Sequence, residues 1–186
     1  MSTFKALPLA IAFAAGCATA PALAADETNG LGARPNLGSK VTEADVKAWD
    51  ITVLPDGTNL PPGSGTYANG VKVIAEKCAI CHGEGAKGGK NAALIDDKPL
   101  PPGQIEAAKT IKNFWANSTT LFDYIRRAMP WNAPRTLTDQ EVWDATAYIL
   151  AANKLIDEKA VMDAKTLPQV KMPNRDNFII RFPERI

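Results

Sequence analysis

Residues 78–82 read CAICH, two cysteines separated by two residues with a histidine directly after the second. Three kinds of site use such a cysteine pair: a dithiol redox switch, half of a zinc site, and covalent attachment of haem. A thioredoxin-like switch requires a βαβ context, whereas the residues around this motif have helix and loop character. The dithiol interpretation also gives the histidine no role.

The cysteine and histidine counts decide between the other two sites. The chain has one histidine, His82, and three cysteines, of which Cys17 lies in the N-terminal segment that we expect to be cleaved. The mature chain therefore has two cysteines and one histidine, one ligand fewer than a closed Cys and His zinc site needs. Haem attachment uses every residue of the motif. The two thiols, one helical turn apart, add to the two vinyl groups on one porphyrin edge, and the adjacent imidazole reaches the iron. We therefore predict one covalently attached haem c, bound by Cys78 and Cys81, with His82 as the proximal iron ligand.

The second iron ligand has to come from elsewhere, and a methionine thioether is the usual alternative to histidine. Met129 stands in a loop that Pro130 and Pro134 stiffen, and a stiff loop can hold a weak sulfur ligand on iron. Met172 is the rival because proline also follows it, whereas Met162 lies in a charged segment. A lysine, a water molecule or an empty position are the remaining alternatives. We predict Met129 as the distal ligand.

Residues 1–24 have the layout of a secretory signal peptide. Lys5 precedes an apolar run that is too short to span a bilayer, and the segment ends in the small-residue site Ala22-Leu23-Ala24. We expect cleavage after Ala24 and a periplasmic protein. Cys17, in the sequence AAGC, offers the alternative of a lipid anchor.

Charge and hydropathy exclude several classes of partner. The 21 Lys and Arg residues nearly balance the 20 Asp and Glu residues, which argues against nucleic acid or an anionic membrane surface as a partner. No second apolar run is long enough for a membrane-spanning helix. These patterns predict an exported protein without a membrane span.

Residues 25–186 divide into three segments by composition. Residues 25–64 are rich in glycine and proline and predict an extended N-terminal arm, interrupted by a short helix that Thr42 caps. Residues 65–155 carry the helical patterns of one domain, and residues 156–186 predict an extended C-terminal arm. Because both arms contain scattered apolar residues, we expect them to cover the domain or a partner. The predicted class is all-α, with three to five helices around one haem.

Three helices of the domain are predicted from apolar spacing and capping residues. The first covers 67–78, with Val71 on its apolar stripe, and Gly70 in its first turn either permits a close helix crossing or is an ordinary weak spot of the helix. The second follows Ser118 as its N-cap. The third covers 138–154, since TDQE at 138–141 is a capping box. We expect the first and third helices to cross.

Five further side chains are candidates for contact with the porphyrin. Trp115, Tyr124 and Trp131 are the aromatic candidates, with ordinary core packing as the alternative. Arg126 and Arg127 could pair with the haem propionates, or they could be solvated surface residues.

Together these motifs resemble the monohaem c-type cytochromes of the small all-α kind. The resemblance rests on the helix that runs into CAICHG, on RAMPWNAP around Met129, and on LTDQEVWDATAYIL. It implies that Cys78 and Cys81 carry the haem, with His82 and Met129 as the axial ligands. The flanks WDITVLPDGTNLPPGSG and DAKTLPQVKMPNRDNF resemble the cytochrome subunits of sulfane dehydrogenase and sulfite dehydrogenase.

That resemblance implies a non-catalytic electron-transfer subunit in sulfur oxidation. Such a cytochrome takes single electrons from a molybdopterin catalytic subunit and passes them to a downstream cytochrome or oxidase. Two alternatives stay open: a free soluble cytochrome for another respiratory chain, with arms folded onto its own domain, and a haem enzyme or sensor with an open distal site.

Overall fold

The computed structural model describes residues 38–96 and 110–178. The predicted signal peptide, residues 25–37 of the predicted N-terminal arm and residues 179–186 lie outside the described residues. The chain divides into Met1–Val41 and Thr42–Ile186, and the architecture below is that of the second unit. In the part of the chain that the structure describes, no helix is both long enough and apolar enough to cross a membrane.

Helices make up most of the regular structure, in agreement with the predicted class. The α-helices are α1 (Glu43–Trp49), α2 (Tyr67–Val73), α3 (Ala79–His82), α4 (Ile111–Phe114), α5 (Ser118–Ala128) and α6 (Asp139–Ala152). A π-helical turn at Ile74–Cys78 joins α2 to α3. Short 3-10 turns occupy Glu84–Ala86, Leu167–Gln169 and Arg175–Asn177. Two strands that the sequence did not predict, β1 (Ser64–Thr66) and β2 (Val161–Asp163), pair antiparallel.

The helix starts follow local capping chemistry in two of three predicted cases. Thr42 caps α1 and Thr138 caps α6, each in a reciprocal capping box with the residue three positions later. The prediction of Ser118 as the N-cap of α5 is wrong, because Asn117 holds that position and Ser118 is already helical. The Ser118 hydroxyl instead donates a hydrogen bond to the carbonyl oxygen of Leu167. Such a distant partner leaves no signal in the local sequence.

The crossing of α2 over α6 is the close contact that Gly70 was expected to permit. A Cβ atom at Gly70 would lie 2.2 Å from the carbonyl oxygen of Asp144 and 2.5 Å from Cβ of Tyr148. The glycine face of α2 therefore lies directly on the α6 backbone. Val71, predicted on the buried stripe, is 46% exposed, because its neighbour Gly70 is the residue that lies against α6.

The C-terminal segment completes the core instead of extending away from it. Between α5 and α6, the rings of Phe122 and Trp143 pack with their centroids 4.4 Å apart. Met162, Leu167 and Met172 are buried in the same core. Residues 162–172 of the predicted C-terminal arm therefore lie against the domain, which is one of the two positions expected for the arms. The scattered apolar residues of this segment are spaced to cover α5 and α6 rather than to form an element of their own.

The segment after α1 is tied to α5. The backbone N–H of Val53 donates to a carboxylate oxygen of Asp123 at 3.0 Å, and the Arg127 guanidinium donates to the Thr52 hydroxyl at 2.8 Å. By contrast, α1 buries no residue, and Trp49 at its end is 76% exposed. This is the part of the predicted N-terminal arm that lies uncovered among the described residues.

Candidate functional site

The cysteine pair lies at the junction of the π turn and α3. Cys78 ends the π turn, Cys81 follows within α3, and both are half-buried thiols that form no disulfide. Burial, and secondarily the neighbouring Cys81, raises the pKa of the Cys78 thiol to about 11. The thiol of Cys78 is therefore protonated at neutral pH. Both cysteines line the same cavity.

His82 is held in one tautomer by the backbone. Its Nδ1 atom lies 2.8 Å from the carbonyl oxygen of Ala92. Since a carbonyl oxygen only accepts hydrogen bonds, Nδ1 carries the proton and Nε2 keeps its lone pair. This is the arrangement that metal-binding histidines use, with the second nitrogen donating to a fixed acceptor. No sequence pattern identified the Ala92 carbonyl as this acceptor, because the contact depends on how the loop folds.

The loop after His82 returns beneath the motif. Gly83 ends α3 with φ +77°, and a Cβ atom there would lie 1.9 Å from the carbonyl oxygen of Gly88. Only glycine allows both this conformation and this approach. The N–H groups of Gly88 and Asn91 donate to the carbonyls of His82 and Cys81 at 2.8 and 2.9 Å. The loop thus fixes the backbone of the cysteine and histidine residues.

His82 and Met129 face a cleft that consists of two adjoining cavities. One cavity contains both cysteines, and the other has a volume of about 290 Å³. Mainly apolar side chains form the walls. Five residues line both cavities: His82, Leu94, Ile125, Met129 and Ile149.

Met129 is held where α5 ends. Its N–H donates to the carbonyl oxygen of Ile125 at 3.1 Å, and the chain then turns at Pro130. The ion pair between Arg126 and Asp139, at 2.9 Å, joins the end of α5 to the start of α6 and so closes the loop that Met129 begins. Met129 is thus half-buried at the start of a loop that this ion pair braces.

The two rival methionines are placed differently. Met162 and Met172 are buried in the hydrophobic core, and neither is among the described residues that line the cleft. Both fill space between packed elements, which is the usual role of a core methionine. Of the three candidates, Met129 alone shares a cavity wall with His82 in the described part of the chain.

The structure separates the aromatic candidates from the arginines. Trp131 lines the cavity that contains the cysteines, and Trp115 and Tyr124 line the other. Arg126 and Arg127 instead bind the carboxylates of Asp139 and Asp123 and are not part of either lining. The proposed propionate pairing of the two arginines therefore receives no support, because intramolecular carboxylates already satisfy their guanidinium groups.

These observations suit a flat apolar cofactor with a central metal ion. The cleft offers two thiols one helical turn apart, an imidazole nitrogen with a free lone pair, and a thioether in the same wall. That donor set is the one with which proteins attach haem through cysteine and ligate its iron with His and Met. The residues present therefore fit haem c.

Comparisons with known proteins agree with this site. Residues 65–149 match the family described as cytochrome c oxidase, cbb3-type, subunit III. A thiosulfate dehydrogenase of Stutzerimonas stutzeri is 26% identical over 126 residues, covering 61% of this chain and 39% of that protein. One of Psychrobacter arcticus is 33% identical over 113 residues, covering 54% of this chain and 33% of that protein. The chain thus spans well under half the length of these curated relatives.

A solved structure extends the likeness beyond the central domain. A chain in the crystal structure of the sulfane dehydrogenase SoxCD from Paracoccus pantotrophus matches with a TM-score of 0.67 and 33% identity. The match covers 77% of this chain and 71% of that chain. The chain therefore belongs to the c-type cytochromes, whose cofactor is haem c, and among them it resembles the cytochrome of sulfur-oxidising dehydrogenases.

Proposed function

We propose that this protein is a periplasmic one-electron carrier. In this proposal it accepts electrons from the molybdenum-containing catalytic subunit of a sulfite or sulfane dehydrogenase and passes them to a downstream cytochrome or oxidase. The observation that carries the proposal is the pairing of His82, with Nε2 free for a metal, and Met129 on the walls of one apolar cleft. A site closed by two protein ligands suits electron transfer better than substrate binding.

The proposed roles of the residues follow from their chemistry. Cys78 and Cys81 would attach one haem through thioether bonds, with His82 as the proximal and Met129 as the distal ligand. When bound, the haem supplies a centre that takes up and releases one electron, and methionine opposite histidine favours its reduced form. Ala92 fixes the His82 tautomer. Leu94, Ile125 and Ile149 are among the apolar residues that would exclude water.

Two exposed apolar side chains at the cleft mouth support a role in docking. Ile80 is 76% exposed and Trp131 is 81% exposed, and both line the cavity that contains the cysteines. Large apolar side chains that face solvent next to a functional site commonly mark a protein contact. A partner that binds here would approach the haem edge nearest the cysteines.

The likeness to SoxCD supports a dehydrogenase partner. The central family match ends at residue 149, whereas the structural match covers 77% of the chain. The flanks are thus partly shared with a chain crystallised in a sulfane dehydrogenase. The uncovered helix α1, with Val46 and Trp49 exposed, is a second surface available to such a partner.

One observation favours the second candidate function, a free soluble cytochrome. That alternative predicts that the arms fold back on their own domain, and residues 161–172 do so, with Met162, Leu167 and Met172 in the core. Burial of the C-terminal segment leaves less chain to wrap a neighbour. The two candidates therefore differ in what the exported protein binds.

Purification of the native protein from periplasm tests the proposal. We expect a molybdopterin-containing subunit to co-purify, and sulfite or a sulfane donor to reduce the haem only in that complex. Thiosulfate serves as an additional donor, given the thiosulfate dehydrogenases among the relatives. A cytochrome that purifies alone and accepts electrons from none of these complexes would contradict the proposal and favour the free carrier.

A further inference from the structure

We propose that Asn153 is a positioning residue that sets the strength of His82 as an iron ligand. It would act through the loop at 92–96, which the Asn153 side chain anchors. The inference rests on the proposed function insofar as His82 is the proximal ligand there. It assigns a role in tuning the site to a side chain outside the cleft.

Asn153 is buried and uses its whole carboxamide group. It follows the last residue of α6 and is 1% exposed. Its Oδ1 accepts a hydrogen bond from the N–H of Asp96 at 3.1 Å. Its Nδ2 donates to the carbonyls of Leu94 at 2.9 Å and of Ile149 at 2.8 Å. No other side chain of similar size both donates twice and accepts in this way.

The anchored loop carries the hydrogen-bond acceptor of His82. Ala92, whose carbonyl oxygen lies 2.8 Å from Nδ1 of His82, is two residues before Leu94 along the chain. Because the side chain of Ala92 is exposed, packing does little to hold it. Its carbonyl therefore depends on the hydrogen bonds that hold its chain neighbours, Asn91 before it and residues 94–96 after it.

Hydrogen bonds at three places hold the chain around Ala92 in the described structure, and the first runs from the N–H of Asn91, directly before Ala92, to the carbonyl of Cys81 at 2.9 Å. At the second, the N–H groups of Leu94 and Ile95 donate to the carbonyl of Ala86 at 2.9 and 3.2 Å. At the third, Asn153 binds the Leu94 carbonyl and the Asp96 N–H. Releasing Asn153 removes one of these three and takes its side-chain partner from the Leu94 carbonyl and the Asp96 N–H. The loop would then shift, and the Ala92 carbonyl would shift with it.

The chemistry of imidazole links this carbonyl to the iron. A hydrogen bond from Nδ1 to a fixed acceptor makes the other ring nitrogen more basic, and a more basic ligand stabilises oxidised iron. Weakening that hydrogen bond therefore raises the reduction potential. It also exposes the Nδ1 proton to exchange with water.

The test compares two Asn153 variants of the haem-loaded protein with a control on the same helix. Asn153→Asp keeps an acceptor for Asp96 and loses both donated hydrogen bonds, and Asn153→Leu loses all three. The control is Asp144→Asn. Asp144 is also buried on α6, but its carboxylate accepts a hydrogen bond from the N–H of Thr66, in β1, at 3.1 Å.

Two readouts separate positioning from stability. The chain has one histidine, so ¹⁵N-histidine labelling of the ferrous protein gives a single ring Nδ1–H resonance. In Asn153→Asp we expect its exchange with water to be about tenfold faster, and the redox equilibrium to move toward the reduced form. A tenfold move corresponds to 59 mV for one electron. In Asp144→Asn we expect a lower unfolding midpoint with both readouts unchanged.

Three results would overturn the inference. In the first, the Asn153 variants lose stability as the control does, but the His82 Nδ1–H exchanges at the wild-type rate and the reduction potential is unchanged. The second result can be obtained even if both variants fail to fold. In it, the His82 Nδ1–H of the wild-type protein exchanges as fast as that of free histidine. The third, a wild-type iron not bound by His82, would overturn the site assignment as well. The first two leave the electron-transfer proposal intact.

Discussion

Replacing Gly70 with alanine should separate α2 from α6, although alanine is the better helix former. The added methyl group would lie 2.2 Å from the Asp144 carbonyl oxygen and 2.5 Å from Cβ of Tyr148. Ordinary contacts need more than 3 Å, so the helices must move apart by about 1 Å. The helix preference of alanine contributes about 1 kcal/mol of stability. Overpacking against a rigid backbone costs about 3 kcal/mol, so we expect a net loss of about 2 kcal/mol.

Urea unfolding of the haem-loaded protein, followed by far-ultraviolet circular dichroism and by haem absorbance, measures this loss. The neighbouring exchange Asn69→Ala is the matched control, because Asn69 is exposed in the same turn. There the propensity gain acts alone, and we expect a stabilisation of about 0.5 kcal/mol. A Gly70→Ala protein as stable as the wild type would refute the close crossing.

Three further substitutions probe the site, a helix cap and the cleft mouth. Met129→Ala should lower the reduction potential and admit carbon monoxide to the iron, as followed by absorption spectroscopy, whereas the core exchange Met172→Leu should do neither. The pKa of Glu141 is lowered, chiefly by the backbone hydrogen bond from Thr138, so its charge stabilises the fold above the ordinary pKa of 4.5. Glu141→Gln should therefore cost about 0.5 kcal/mol at pH 7 in urea titrations, and the difference should shrink as the pH falls through the lowered pKa. A difference that stays constant as the pH is lowered from 7 would contradict this. Trp131→Ser should slow the reduction of the haem by the partner about tenfold, measured by stopped flow, while the reduction potential stays unchanged. An unchanged rate would exclude the cleft mouth around Trp131 as the docking surface.

The sequence predicted those features that depend on local chemistry. The capping box at Thr138 lies within four consecutive residues, so its helix start could be placed from the sequence. The motif at 78–82 and the proline-flanked Met129 identified the side chains that the fold brings to one cleft. Gly70 was expected at a helix crossing because a glycine early in an amphipathic helix permits close approach.

The features that the sequence did not predict depend on distant contacts. The hydroxyl of Ser118 binds Leu167, 49 residues away, and the strand pair joins residues almost a hundred positions apart. The carboxamide of Asn153 reaches a loop 57 residues earlier. The C-terminal segment has neither helical nor strand periodicity over any length, so only its buried position shows that it belongs to the core.

The proton NMR spectrum of the ferrous protein tests the assignment of the site most directly. A methionine methyl group on the iron lies over the porphyrin, whose ring current shifts its resonance far upfield. We predict one three-proton resonance upfield of 0 ppm that disappears in Met129→Ala and persists in both Met162→Leu and Met172→Leu. A spectrum without that resonance, or one in which it survives the loss of Met129, would contradict the proposed ligation by His82 and Met129.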